Sequence, residues 1–111
     1  MRMTLATREV LIGLLSFDVE HGAYGRELLA VTGLPGGTVY PMLNRLRSAG
    51  LIQSGEEEGD ATELGRPLRT YWRLTPDGVE LARAEQALAE ALPKAEEVRR
   101  GKKSGRPAVS W

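Results

Sequence analysis

The chain has no cysteine in its 111 residues. That absence excludes disulfides and thiolate metal sites, and it fits a cytoplasmic location. His21 is the single histidine, and one histidine builds no zinc site without thiolate partners. No metal and no other cofactor is therefore expected, and His21 reads as a loop residue. The chain also lacks an apolar run near the roughly 20 residues of a membrane span, so no membrane partner is expected. The apolar stretch from Val10 to Leu15 follows acidic Glu9 and precedes no small-residue cleavage site, which argues against a signal peptide. Charge of one sign is missing too: 15 basic residues balance 15 acidic ones. Finally, no nucleophile–base pair and no phosphate-binding loop of sufficient length is present. The pair Gly36-Gly37 reads as a turn element, and nothing supports an enzyme.

What is present is enough for one domain. A hydrophobic share of 41% supports a modest core, and two protomers sharing a helical interface would ease the shortage. The charges balance in total but not in place. Leu34 to Ile52 holds Arg45 and Arg47 and no acid, and Leu64 to Thr75 holds Arg66, Arg69 and Arg73 and no acid. From Arg99 onward every charge is positive. The acids gather in Glu56 to Glu63 and Glu80 to Glu97. A nucleic-acid-binding protein needs a local basic face rather than a basic total.

Along the chain, Thr4 or Thr7 suits the cap of a first helix, in which Leu5, Val10, Leu11, Leu14 and Leu15 recur at helical spacing. It is expected to fade near Phe17 to Gly22. Tyr24, Leu28 and Leu29 mark a second helix ended by Gly33. Leu34 to Gly37 reads as a tight turn and Thr38 as the start of a third helix, stopped by Gly50. Leu51 to Gln53 reads as a short strand, Ser54 to Pro67 as an acidic, glycine-rich loop, and Leu68 to Leu74 as a second strand. Thr75 and Pro76 suit the cap and first position of a last helix. The order is helix, helix, turn, helix, strand, loop, strand, helix. It predicts a mainly α fold with a small β-wing, a winged helix-turn-helix.

At about 100° per residue, Val39, Met42, Leu43 and Leu46 share one side of the third helix. Gly37, Pro41, Asn44 and Ser48 lie opposite. Tyr40 and Arg47 occupy one flank, Thr38 and Arg45 the other. A face this small and free of acids can enter the roughly 12 Å major groove. Asn44 suits a base edge and Arg45 a guanine or a phosphate. Thr38 and the amides of Gly36 and Gly37 suit phosphate. Pro41 fits a first turn, where its missing N–H costs nothing. The plain alternative is an ordinary surface helix.

The run from Leu34 to Leu46, continued at Ala49 to Ile52, closely resembles the PadR family of transcriptional regulators, as does Gly65 to Gly78 with its Gly65-Arg66-Pro67 wing. Tyr24-Gly25 also resembles the family. The likeness extends from about Leu5 to Leu92. It implies a winged-helix homodimer, mostly repressors, some of which release DNA when a small-molecule inducer binds. It further implies that Thr38, Tyr40, Pro41, Asn44 and Arg45 face double-stranded DNA, with wing contacts from Arg66 and Arg69. The short C-terminal part is similar to the compact subgroup with a single C-terminal helix.

Glu56, Glu57, Glu58, Asp60 and Glu63 make the wing tip acidic, so it is not expected to enter the minor groove. Arg66 and Arg69 are the better contacts, unless they pair with these acids. Arg73 serves equally as a strand salt-bridge partner. In the last helix Leu81, Ala84, Leu88, Ala91, Ala95 and Val98 form a heptad-like seam for dimerisation, part of which must pack on its own domain. Pro93 is expected to kink or end that helix near Leu92. The predicted division is residues 1–78 for DNA binding, 79–98 for dimerisation and 99–111 for a basic, disordered tail. Gly105-Arg106-Pro107 partly resembles an AT-hook core, though a solvated basic tail is the simpler reading. Two functions follow: a dimeric repressor on a palindromic operator, or a winged-helix module that binds protein instead.

Overall fold

The computed structural model describes residues 2–91. The Thr4 hydroxyl accepts from the Thr7 amide at 3.1 Å, so Thr4 is the cap that opens α1, Leu5–Leu15. Then follow β1 (Ala23–Tyr24), α2 (Gly25–Thr32), α3 (Gly36–Ser48), β2 (Ile52–Glu56), α4 (Ala61–Leu64), β3 (Thr70–Leu74) and α5 (Pro76–Ala91). The three strands form one antiparallel sheet in the order β1-β3-β2. This is the winged-helix arrangement expected from the element order, with three corrections in its connections.

The first correction concerns the start of α3. Gly36 and Gly37 are not a turn before the helix; they are its first residues, and Pro35 is its cap. The amides of Thr38 and Val39 both donate to the Pro35 carbonyl, at 2.9 and 3.0 Å, which draws the two glycines into the helix. Pro41 therefore lies in the second turn instead of the first. Its missing N–H leaves the Gly37 carbonyl without the usual helical donor. The other end matches expectation. Gly50 adopts φ 78°, its amide donates to the Arg47 carbonyl, and the Leu51 amide donates to the Leu46 carbonyl. This pair of bonds is a Schellman stop, which favours glycine at the left-handed position.

The second correction is the wing. β2 continues past Gln53 to Glu56, and the acidic segment after it holds the single turn α4. Asp60 caps that turn by accepting from the Thr62 amide at 2.8 Å. The third is β1, which the sequence reading missed. Ala23 and Tyr24 pair with Trp72 and Tyr71 of β3. β3 itself begins at Thr70 rather than at Leu68.

One core joins these elements. Leu11, Leu28, Leu43 and Leu46 are fully buried, together with Val10 and Val39. Each such side chain contributes about 1.5–3 kcal/mol through its removal from water. Ile52 and Leu74, register partners on β2 and β3, close the core from the sheet side. Thr75 caps α5 as expected, its hydroxyl accepting from the Gly78 amide at 3.1 Å. Ala82 of α5 is fully buried, and the Arg8 Nε–Glu85 Oε1 pair at 2.8 Å ties α1 to α5. The start of α5 thus packs into the winged-helix core.

Candidate nucleic-acid interface

α3 presents the two faces that its spacing predicts. Val39, Met42, Leu43 and Leu46 are buried, whereas Gly37, Pro41, Asn44, Arg45 and Ser48 are exposed. The helix contains no acid, and its last turn carries Arg45 and Arg47. At its start no hydrogen bond engages the amides of Gly36 and Gly37 among the described residues, while the Thr38 amide is held by Pro35. Two amides therefore remain available at the positive end of the helix dipole. Thr38 is half-buried. Arg2, distant in the chain, joins Asn44, Arg45 and Ser48 in lining a shallow depression of about 580 Å³.

Tyr40 is 43% exposed and leans from α3 across the start of α2, against Gly25. Tyr40, Arg26, Arg69 and Thr70 line a groove of about 610 Å³ between α2, α3 and β3. Arg26 was not singled out from the sequence. Its signal was weak: it follows the Tyr24-Gly25 pair but belongs to a different helix from the other basic residues. Glu27 caps α2 by accepting from the Tyr24 amide at 2.8 Å, so the acid that lines this groove is committed to the backbone.

The wing separates its two arginines. Arg66 donates through both terminal nitrogens to the Glu57 carboxylate, one of them at 3.3 Å to Oε2. Glu57 also accepts from the Arg69 backbone amide at 2.9 Å. The Arg66 hydrogen bond, reinforced by that amide, holds the Glu57 carboxyl below its ordinary range, and Glu57 in turn raises Arg66. Arg66 is thus part of the wing's own structure. The Arg69 side chain is exposed and forms no ion pair among the described residues. Arg73 donates to Gln53 Oε1 at 3.2 Å and to the Glu20 carbonyl at 3.1 Å, which makes it a strand partner.

Arg47 is exposed, but its guanidinium turns toward the sheet. Its guanidinium stands 5.8 Å from the centroid of the Trp72 ring and donates to Ser54 Oγ at 3.1 Å and Asn44 Oδ1 at 3.3 Å. On α5, Leu81 is half-buried against the protomer's own core, and Ala84, Leu88 and Ala91 are exposed. Ala95, Val98, the expected kink at Pro93 and the basic tail lie outside the described residues. Among the described residues, no helix is long and apolar enough to cross a membrane.

Comparison with known proteins places this geometry. No curated protein sequence matches the chain. The structure is similar to BpsR of Bordetella bronchiseptica (TM-score 0.67, 22% identity), covering 84% of this chain and 64% of BpsR. The chain thus spans slightly less than two thirds of that protein, whose DNA binding is regulated by 6-hydroxynicotinic acid. It is similar to MepR of S. aureus in complex with DNA (TM-score 0.64, 18% identity), covering 97% of this chain and 82% of MepR. It is also similar to a PadR family transcription regulator from hypervirulent Clostridium difficile (TM-score 0.63, 22% identity), covering 86% of this chain and 98% of that one. Identities this low establish the shared winged-helix fold. The family itself follows from the match of the PadR-like transcriptional regulator model to residues 12–84, more than half of the sequence. The chain belongs to the PadR-like family of transcriptional regulators.

Proposed function

We propose that this protein is a sequence-specific DNA-binding repressor that acts in the cytoplasm as a homodimer on a palindromic operator. The observation that carries the reading is the acid-free exposed face of α3, with Asn44 and Arg45 on it and Tyr40 and Arg69 beside it. Gly36, Gly37 and Thr38 approach phosphate at the helix start, and Tyr40, Pro41, Asn44 and Arg45 follow the groove. Arg69 supplies the wing contact. Arg66 reaches DNA only by giving up its Glu57 partner. Leu81, Ala84, Leu88 and Ala91 form the dimer seam, with the exposed three nearest the partner. Two-fold symmetry then sets the reading helices about 34 Å apart, one turn of DNA. A small-molecule inducer that releases the operator completes the reading, supported by the ligand control of BpsR.

Titration against the DNA upstream of its own coding sequence and against random duplex, at two salt concentrations, tests this. Tighter binding to the upstream duplex is expected. Equal affinity for both would remove specific repression, and no binding to either would favour the protein-interaction module. Asn44→Ala should relax specificity. Arg69→Ala should weaken all sequences alike and lower the salt slope by about one.

A further inference from the structure

Arg47 is cationic and belongs to the reading helix, yet its guanidinium is turned back onto the sheet. Ser54 and Trp72 are register partners on β2 and β3, so their side chains leave the same face of the sheet. Together they make a seat: the Trp72 ring below the guanidinium at 5.8 Å and Ser54 Oγ beside it at 3.1 Å. The planar fork of arginine serves that seat and still has a second nitrogen for Asn44 Oδ1, at 3.3 Å.

The consequence falls on Asn44. Arginine offers donors only, so the Asn44 oxygen turns toward Arg47 and its NH₂ group turns away. Asn44 is exposed, opposite the buried face of α3. An unrestrained asparagine amide offers an acceptor and a donor together, which matches the N6 and N7 atoms of adenine. An amide whose oxygen is turned toward Arg47 presents its NH₂ group outward, and those donors match the two acceptors of guanine, O6 and N7.

We infer that Arg47 is a positioning residue for base readout: it orients the Asn44 amide so that α3 selects guanine over adenine at the base Asn44 meets. Ser54 and Trp72 hold Arg47 in place, which couples the reading helix to the sheet that carries the wing. The inference rests on the DNA-reading function proposed above.

Four proteins decide it: wild type, Asn44→Ala, Arg47→Met and the double variant. Methionine keeps the aliphatic bulk and removes every donor. Each is titrated against the operator, a series with every base pair replaced in turn, and random duplex. Asn44→Ala should abolish preference at one position, which identifies the contacted base. There the wild type should favour guanine over adenine by about ten-fold. Arg47→Met should keep its affinity for random duplex within about three-fold, since one positive charge is lost, and shift the preference toward adenine. The double variant should match Asn44→Ala at that position, because Arg47 acts through Asn44. Ser54→Ala, which leaves the core untouched, should give a smaller shift in the same direction and decides the matter if Arg47→Met does not fold. A wild-type preference for adenine, or an Arg47→Met protein that loses affinity for all sequences equally with its guanine preference intact, would overturn the inference while leaving DNA reading in place. A wild type that binds every duplex equally would overturn both.

Discussion

Tyr40 occupies the space that a side chain at Gly25 would need: a Cβ there would stand 2.5 Å from the Tyr40 hydroxyl and 2.6 Å from Cε1. The absence of a side chain on α2 thus sets where an aromatic ring of α3 rests. Gly25→Ala should push the ring outward instead of breaking the fold, because the far end of a half-exposed side chain can swing. The expected result is a melting temperature within a few degrees of wild type, with reduced affinity for DNA. Unchanged affinity would show that the position of Tyr40 does not matter for binding.

Gly78 illustrates the opposite case. A Cβ at Gly78 would lie 1.9 Å from the Leu51 carbonyl oxygen, which already accepts from the Thr75 amide at 3.0 Å. Backbone cannot swing aside, so α5 would have to leave the sheet. Gly78→Ala should lower stability by about 3 kcal/mol, measured by urea denaturation. A loss below about 0.5 kcal/mol would mean that α5 shifts at little cost.

The Glu57–Arg66 pair makes the wing sensitive to acid. The ordinary value for the Glu57 carboxyl is 4.5, and its hydrogen bonds to Arg66 first and to the Arg69 amide second depress it. A depressed carboxyl contributes stability above its unfolded value and loses it as pH falls through the folded value. The wing contact should therefore persist through neutral pH to 4.5 and loosen below it. The amide resonance of Arg69, which Glu57 accepts, reports this directly. A titration midpoint at or above 4.5 would contradict the pairing.

Leu88 is 46% exposed on α5, between exposed Ala84 and Ala91. A charge at that site should split the proposed dimer, since burying an unpaired carboxylate is strongly unfavourable. Leu88→Glu is expected to sediment as a monomer and to lose at least about ten-fold in affinity for a full palindrome, as one linked half-site no longer assists the other. If it sediments as a dimer, the interface lies elsewhere.

Much of this structure was legible because burial imposes periodicity. The spacing of Val39, Met42, Leu43 and Leu46 identified the buried face of α3, and with it the exposed face carrying Asn44 and Arg45. Capping chemistry located Thr75, Pro76 and Gly50 for the same reason: orphan backbone groups need particular residues near them. Periodicity failed where elements were too short to show any. β1 is two residues long and exists only because Tyr71 and Trp72 of β3 lie alongside it. α4 is a single turn within a run of acids and glycines. Gly36 and Gly37 looked like a turn because glycine disfavours helix by itself, yet the Pro35 carbonyl collects two amides and starts the helix there.

The sequence by itself determined the element order, the buried faces and the acid-free character of α3. These depend on local chemistry and on which residues avoid water. Only the tertiary structure decided the fate of each arginine. Arg66 and Arg69 are three residues apart and alike in sequence, but the fold brings Glu57 to the guanidinium of the first and only to the backbone of the second. Arg45 and Arg47 are likewise close in sequence and both exposed, but the pairing of Ser54 with Trp72 turns the Arg47 guanidinium onto the sheet, while Arg45 lines the depression with Asn44 and Ser48. The charge of a residue is written in the sequence. Which partner claims that charge depends on distances between segments far apart along the chain, and those are set by the packing of the whole domain.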